Sequence, residues 1–324
     1  MEDFQDTFYK YTRDALINRL NYVIKNIYSF EPDIYGNAGI HSKITSVTLE
    51  RAQTLKKDYP SIEELPLLLM QILLYNGSDA DLKTFIDTNS INLDTDSVNE
   101  LLCTLMCTPN ESNSSANSNS NSNSSFEYLL SLGAEPSYDE NLPLKLAIYV
   151  RDLERIKLLV EYGIDINKPN DLAIQLAFSK NSIRIQKYLI DNGADLTKNL
   201  DLIIKYCRSS ANTEAILLMI NAGIDLKDHL FQIAQLAIQR YNDSLMRTCI
   251  ELGVDLKKLD QEDLAMSLGR LEIGTIQLMI DGGVNFCTLN DYLDGDSDEG
   301  DKFDFLQSIG LEGPIIFGIF NDFS

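Results

Sequence analysis

The chain has 324 residues, 44% of them hydrophobic, and sets 27 Lys and Arg against 49 Asp and Glu for a net charge of −22. That apolar share supports a large buried core. The acidity argues against nucleic-acid binding, which needs clustered cations to displace counterions, and against docking on anionic lipid; it keeps a long molecule soluble or draws in a basic partner.

The first residues, Met1-Glu-Asp-Phe, carry no basic segment followed by an apolar one, so no signal peptide is expected. Asp3 to Asn26 places Phe8, Ala15, Leu16, Leu20, Val23 and Ile24 at helical spacing. Glu31 to Gly39, with Pro32 and two glycines, reads as a loop, and Ser46 to Lys57 as a further helix. Residues 1–62 show no repeat and are expected to form a helical cap or a small module of their own.

From residue 63 the chain is periodic. Leu65 to Leu74 is an apolar helix, Asn76-Gly77 a turn, and Leu82, Phe85 and Ile86 mark the inner face of a second helix. The run from Leu65 to Tyr75 is interrupted by Gln71 and is too short to cross a bilayer, so no membrane span is expected. The next unit carries an Asn/Ser-rich insert between Pro109 and Ser125. Almost nothing in it is apolar, and the sequence predicts a disordered loop between a helix at Leu101–Cys107 and one at Phe126–Leu130.

Five uniform units follow, at about 137–166, 167–196, 197–226, 227–256 and 257–286. Gly133, Gly163, Gly193, Gly223, Gly253 and Gly283 stand in one strict step of 30 residues. Leu130, Val160, Ile190, Ile220, Ile250 and Ile280 form an aliphatic column; Ala147, Ala177, Cys207, Ala237 and Ser267 form a small one. A fixed period of this length signals stacked supersecondary units. Within 167–196, Asp171 suits the start of a first helix, Asn181-Ser182 its end, and Ile185, Leu189 and Ile190 the buried face of a second. The glycines fit the left-handed position just past a helix. The predicted fold is therefore all-α, a solenoid of seven helix pairs over 63–286.

The tail, 287–324, loses the period. It has an acidic loop from Asp291 to Asp301, then apolar residues at Phe303–Leu306, Ile309 and Ile315–Phe320 that are expected to pack as a C-terminal cap.

The motif Ala147-x-x-x-x-x-Leu153-Glu-x-Ile156-Lys-Leu-Leu159-Val160-Glu-Tyr-Gly163-Ile-Asp165-Ile166 resembles the ankyrin repeat. The family's first-helix signature, Thr-Pro-Leu-His-x-Ala, is matched by Leu142-Pro143-Leu144-Lys145-Leu146-Ala147. Two departures stand out. The family histidine is replaced by Lys145, Gln175, Lys205 and Gln235, and the period is 30 where the family commonly has about 33. Shortening at the hairpin between units predicts tight turns there. This short-looped style is similar to that of ankyrin proteins of large DNA viruses of amoebae.

No catalytic constellation is present. The two histidines, His41 and His229, are far apart, and the sequence holds no zinc-protease, phosphate-loop or nucleophile-elbow motif. No metal or cofactor is expected. Cys103 and Cys107 supply only two of the four ligands zinc wants. Asp294-x-Asp296-x-Asp298 opens like a calcium loop, but Glu299 and Phe305 stand where Gly and Glu are required. Five cysteines, Cys103, Cys107, Cys207, Cys249 and Cys287, follow no disulfide framework, which predicts a reducing, intracellular and cytoplasmic setting. Asn110-Glu-Ser112 and Asn242-Asp-Ser244 then match the glycosylation pattern by chance.

What the resemblance implies about function is a scaffold or adaptor binding a protein on its concave face. Residues two and three past the small column map to that face: Tyr149-Val150, Ser179-Lys180, Ser209-Ser210, Gln239-Arg240 and Gly269-Arg270. The candidate binding residues are Tyr149, as an aromatic anchor, with Val150, Lys180, Arg240 and Arg270. The cations also suit helix C-termini, where the macrodipole favours positive charge. A monomer with a protein partner is expected. The alternative is a targeting subunit that recruits an activity through residues 1–62.

Overall fold

The computed structural model describes residues 2–30, 46–60, 62–75, 79–108, 121–291, 307, 308 and 310. The loop Glu31–Gly39, the turn Asn76-Gly77, residues 109–120 and nearly all of the chain beyond Asp291 lie outside them. The described residues form seventeen α-helices and no strand. The chain divides into two compact units, Met1–Leu176 and Ala177–Ser324.

In the first unit, α1 (Glu2–Lys10) and α2 (Arg13–Phe30) are separate helices, where the periodicity predicted one. The break is a turn closed by Tyr11 N–H to Phe8 O and Thr12 N–H to Tyr9 O. Thr12 Oγ1 then accepts from Ala15 N–H near the start of α2. Next come α3 (Leu49–Asp58), α4 (Leu65–Tyr75), α5 (Asp79–Asn89), α6 (Thr95–Cys107), α7 (Asn121–Ser131), α8 (Tyr138–Tyr149) and α9 (Leu153–Glu161). Thr48 caps α3 by accepting from Arg51 N–H. Helices α4, α6 and α8 pack in sequence as one layer, and α5 and α7 pack together in a second. The N-terminal segment continues the same arrangement without the sequence period: α2 packs on α4, and α3 on α5. Leu16, Leu20, Ala52 and Leu55, all fully or nearly fully buried, make those contacts apolar. Helix α7 starts at Asn121, several residues before the Phe126 start expected from the apolar residues.

The division between the units falls within α10 (Leu172–Ser179). The second unit continues with α11 (Ile183–Asp191), α12 (Leu200–Ser209), α13 (Thr213–Asn221), α14 (Leu230–Gln239), α15 (Asp243–Glu251), α16 (Gln261–Arg270) and α17 (Ile273–Asp281). Again the two helices of each pair lie in different layers. Helix α14 packs on α16, while α11 packs on α13 and α15 on α17. A 3₁₀ turn, Phe286–Asp291, lies against α16 and buries Phe286 and Leu289.

All six period-30 glycines adopt a left-handed backbone, with φ from 79° to 99°. Each ends a second helix in the same way. Gly193 N–H donates to Ile190 O and Ala194 N–H to Leu189 O, and the other five turns repeat this pair of bonds. These are Schellman caps, which pair carbonyls that a helix end otherwise leaves open.

The side-chain columns behave differently from one another. The small column is fully buried at Ala147, Ala177, Cys207, Ala237 and Ser267, as close helix approach requires. The aliphatic column that includes Ile190 is only half-buried. The core of the second helices is the preceding column: Leu129, Leu159, Leu189, Met219, Cys249 and Met279, each with no measurable exposure. That column mixes Leu, Met and Cys, so it is less uniform in sequence than its half-exposed neighbour.

Candidate protein-interaction site

Four helix pairs, α8/α9 through α14/α15, have two ends of different chemistry. One is the hairpin to the next pair. There Asp165, Asp195, Asp225 and Asp255 accept the backbone N–H two residues on, at 2.9–3.3 Å. Lys168, Lys198, Lys227 and Lys258 stand 3.3–3.8 Å from those carboxylates. The backbone bond from Asn167 holds the Asp165 carboxyl below its usual range, and bonds from the Thr197 side chain and backbone do the same for Asp195. Three of these hairpins close as single 3₁₀ turns, Thr197–Asn199, Lys227–His229 and Leu256–Lys258. They are the tight turns that the short period predicts.

The other end is the turn within the pair, and the five candidate residues sit there. In the second unit, Lys180 follows the last residue of α10, Arg240 is the exposed residue after α14, and Arg270 ends α16. Arg270 is engaged internally. Its Nη1 donates to Gln239 O at 3.2 Å, at the end of α14, and its guanidinium lies 4.7 Å from the centre of the Tyr241 ring. That places a cation on the carbonyl end of the preceding first helix, where the macrodipole favours it. The exposed cation Arg208 near the end of α12 adds to the positive charge of the same turns.

Tyr149 and Val150 end α8 in the first unit, both half-buried. Tyr149 is not an open aromatic anchor. Its ring meets that of Phe8 at 4.3 Å between centroids, tilted by 34°. Lys10 pairs with Glu100 of α6 at 2.6 Å, and Tyr11, 1% exposed, is buried beside Cys103 and Glu100. Helix α1 thus crosses the first-helix layer from α6 to α8. A ring pair is worth about 0.5–1.5 kcal/mol and an exposed ion pair about 0–1 kcal/mol.

Sequence reasoning missed a second left-handed column. Arg151, Asn181, Ala211 and Tyr241 have φ of 63°, 52°, 55° and 55° and end the first helices with the same double bond pattern as the glycines. The residue after each starts the second helix. Asp152, Asn212 and Asn242 cap it by accepting from the N–H three residues on. That column of Asp, Ser and Asn, one step past the left-handed residue, was the available signal. Neighbouring turns in the second unit are tied together as well. Asn212 Nδ2 donates to Asn181 Oδ1, Asn242 Nδ2 to Thr213 Oγ1 at 2.9 Å, and Glu272 N–H to Asp243 Oδ1 at 2.8 Å. Loss of the family histidine is answered in one place by Gln235, whose Nε2 donates to Asp263 of α16 at 2.8 Å.

Residues 112–200 match the family model for ankyrin repeats (3 copies). The match spans roughly a quarter of the chain. The left-handed glycines carry the ankyrin-like geometry on to Gly283, and the fold is an ankyrin-like helical solenoid of stacked pairs. Comparison with curated proteins and with solved structures found no match.

Among the described residues, no group of three or more His, Cys, Asp or Glu side chains is placed to hold a metal, and no helix is long and apolar enough to cross a membrane. The Asp294–Asp298 loop lies outside those residues. Cys103, Cys107, Cys207 and Cys249 are free, buried thiols. Burial pushes Cys103, Cys207 and Cys249 up to about 12, away from the thiolate that reactivity needs.

Proposed function

We propose that the chain is a non-catalytic scaffold or adaptor that binds a protein partner on the concave face of its second unit, through the turns bearing Lys180, Arg240 and Arg270. The observation carrying this reading is the ankyrin match itself, because ankyrin repeats generally mediate protein–protein interaction. Charge supports the choice of surface. A chain with net charge −22 gathers cations at the within-pair turns while its hairpins carry Asp–Lys pairs. An acidic patch on the partner would be steered to those turns, and association would slow as salt rises. Residues 1–62 and 287–324 act in this reading as caps on an array at 63–286. Buried free thiols suit a cytoplasmic protein. The likeness to amoeba-virus ankyrin proteins rests on the 30-residue period and the replaced histidine.

The test is charge reversal in the native cell. Proximity labelling is compared for the wild-type chain and for Lys180→Glu/Arg240→Glu, leaving Arg270 in place because it braces α14. Loss of a defined set of captured proteins, at unchanged melting temperature, is the expected result. Equal capture by the folded double variant would move the site elsewhere.

A further inference from the structure

We infer that Asn192-Gly193, at the end of α11, is a self-modification site: Asn192 deamidates through a cyclic imide when its glycine cap opens, and the product keeps the cap from closing again. The site lies at the hairpin end of a pair in the second unit and does not depend on the cationic turns at the other end.

The sequence singles out this turn. The residue before the capping glycine is Leu132, Tyr162, Asn192, Ala222, Leu252 or Gly282, so one of the six turns sets a carboxamide beside that glycine. The chemistry needs this pair. The Gly193 nitrogen attacks Asn192 Cγ, the Cγ–Nδ2 bond breaks, and ammonia leaves with the proton that the glycine nitrogen gives up. Solvent water then opens the five-membered imide. Cleavage between nitrogen and Cγ leaves an aspartyl residue; cleavage between nitrogen and the backbone carbonyl carbon leaves an isoaspartyl one. A glycine nitrogen is little shielded, and nothing stands within 4 Å of where a Cβ would sit on Gly193. Both residues are exposed, so water reaches the ring once it forms.

What holds the reaction off is the cap itself. Gly193 N–H donates to Ile190 O at 3.0 Å, which turns the nucleophile back along α11. Asn192 Nδ2, the leaving group, donates to Tyr188 O at 2.8 Å. Asn192 has φ −99° and ψ 16°, and ring closure needs ψ turned far from that value to bring the Gly193 nitrogen against Cγ. Both bonds must break first, so the reaction runs from the locally opened turn. The product cannot restore what was lost. A carboxylate removes the donor to Tyr188 O and puts negative charge at the carbonyl end of α11, where the macrodipole disfavours it. The isoaspartyl form also lengthens the backbone by one carbon, which moves the Gly193 and Ala194 N–H groups off Ile190 O and Leu189 O. The modification is therefore a one-way record of the time the turn has spent open.

The test holds the full chain at neutral pH beside a synthetic peptide of residues 186–197. Peptide mapping with isoaspartyl methyltransferase labelling reads residue 192, and amide hydrogen exchange reads Gly193 and Ala194. The native chain is expected to modify at least tenfold more slowly than the peptide. In sub-denaturing urea its rate should rise in step with exchange at Gly193. The variant Asn192→Asp, which carries the aspartyl product, should exchange at least fivefold faster at Gly193 with α15 unchanged. A native chain that modifies as fast as the peptide would overturn the inference, as would the absence of isoaspartate at residue 192 in urea that opens the turn. Unchanged exchange at Gly193 in Asn192→Asp would overturn the one-way step. None of these results bears on capture through Lys180 and Arg240, so failure here is distinct from failure of the scaffold reading.

Discussion

Gly193 and Ala211 hold the same backbone conformation at two ends of successive helices, at different cost. Gly193 has φ 86° and open space where a Cβ would stand, with nothing within 4 Å. The penalty of a side chain there is thus conformational and not steric. Gly193→Ala is expected to lose about 1 kcal/mol, and Gly193→Val more. Ala211, at φ 55°, already bears that strain. Ala211→Gly should relieve about 1–2 kcal/mol of it, offset by about 0.5–1 kcal/mol of added freedom in the unfolded chain. A small net gain is expected in urea unfolding at constant slope. A loss at Ala211, or no loss at Gly193, would show that the turns are not held by these dihedrals.

Helix α6 ends where the repeat is interrupted, and it ends differently from its counterparts. The position matching Arg151 is Thr108, which is extended at φ −68° and ψ 142°. No Schellman turn forms, and the terminal groups need another partner. Arg155 of α9 supplies it. Its Nη1 donates to Thr108 O at 2.6 Å and its Nη2 to Thr108 Oγ1 at 2.7 Å, while Asp152 balances the charge at 3.4 Å. Arg155 is 5% exposed, in a column that is otherwise Ile185, Ala215, Leu245 and Thr275. Arg155→Met is expected to cost about 3–5 kcal/mol, because it strands a buried carboxylate and a carbonyl. Asp152→Asn keeps the cap and removes the stranded charge, so the double variant should recover at least about 1 kcal/mol. Chemical denaturation of the four-protein cycle measures this, and strict additivity would mean the two residues do not interact.

Over the whole molecule, the carboxylates set the response to pH in two opposed ways. Asp94, Asp165 and Asp195 are held below the ordinary Asp value by hydrogen bonds to nearby side-chain and backbone donors. Their stabilisation is complete above the unfolded value and is lost as pH falls through the folded values. Asp263 runs the other way. Burial raises it, only partly countered by its bond from Gln235. Its contribution is present below the unfolded value and fades as pH rises through the folded one. Asp263→Asn, which can keep the bond from Gln235, is therefore expected to be more stable than wild type at pH 7 and equal to it near pH 3. Asp195→Asn should be less stable at pH 7 and converge with wild type in acid. Melting curves across this range decide both signs.

The sequence alone determined the helix pairs, the left-handed stops at the six glycines and the tight hairpins. All of these follow from local chemistry repeated at a fixed step, so one turn reports on every other. Other features depended on which residues meet across the fold. Ile190 looked like core and is half-exposed because the pair's closest approach runs through Leu189. Arg151, Asn181, Ala211 and Tyr241 share a conformation but no composition, since the flanking helices impose it. Arg270 looked like a free cation and braces the helix before it, and Tyr149 looked like an open anchor and lies under Phe8. Phe8 and Tyr149 are far apart in the chain and belong to no common period, so only packing could bring them together.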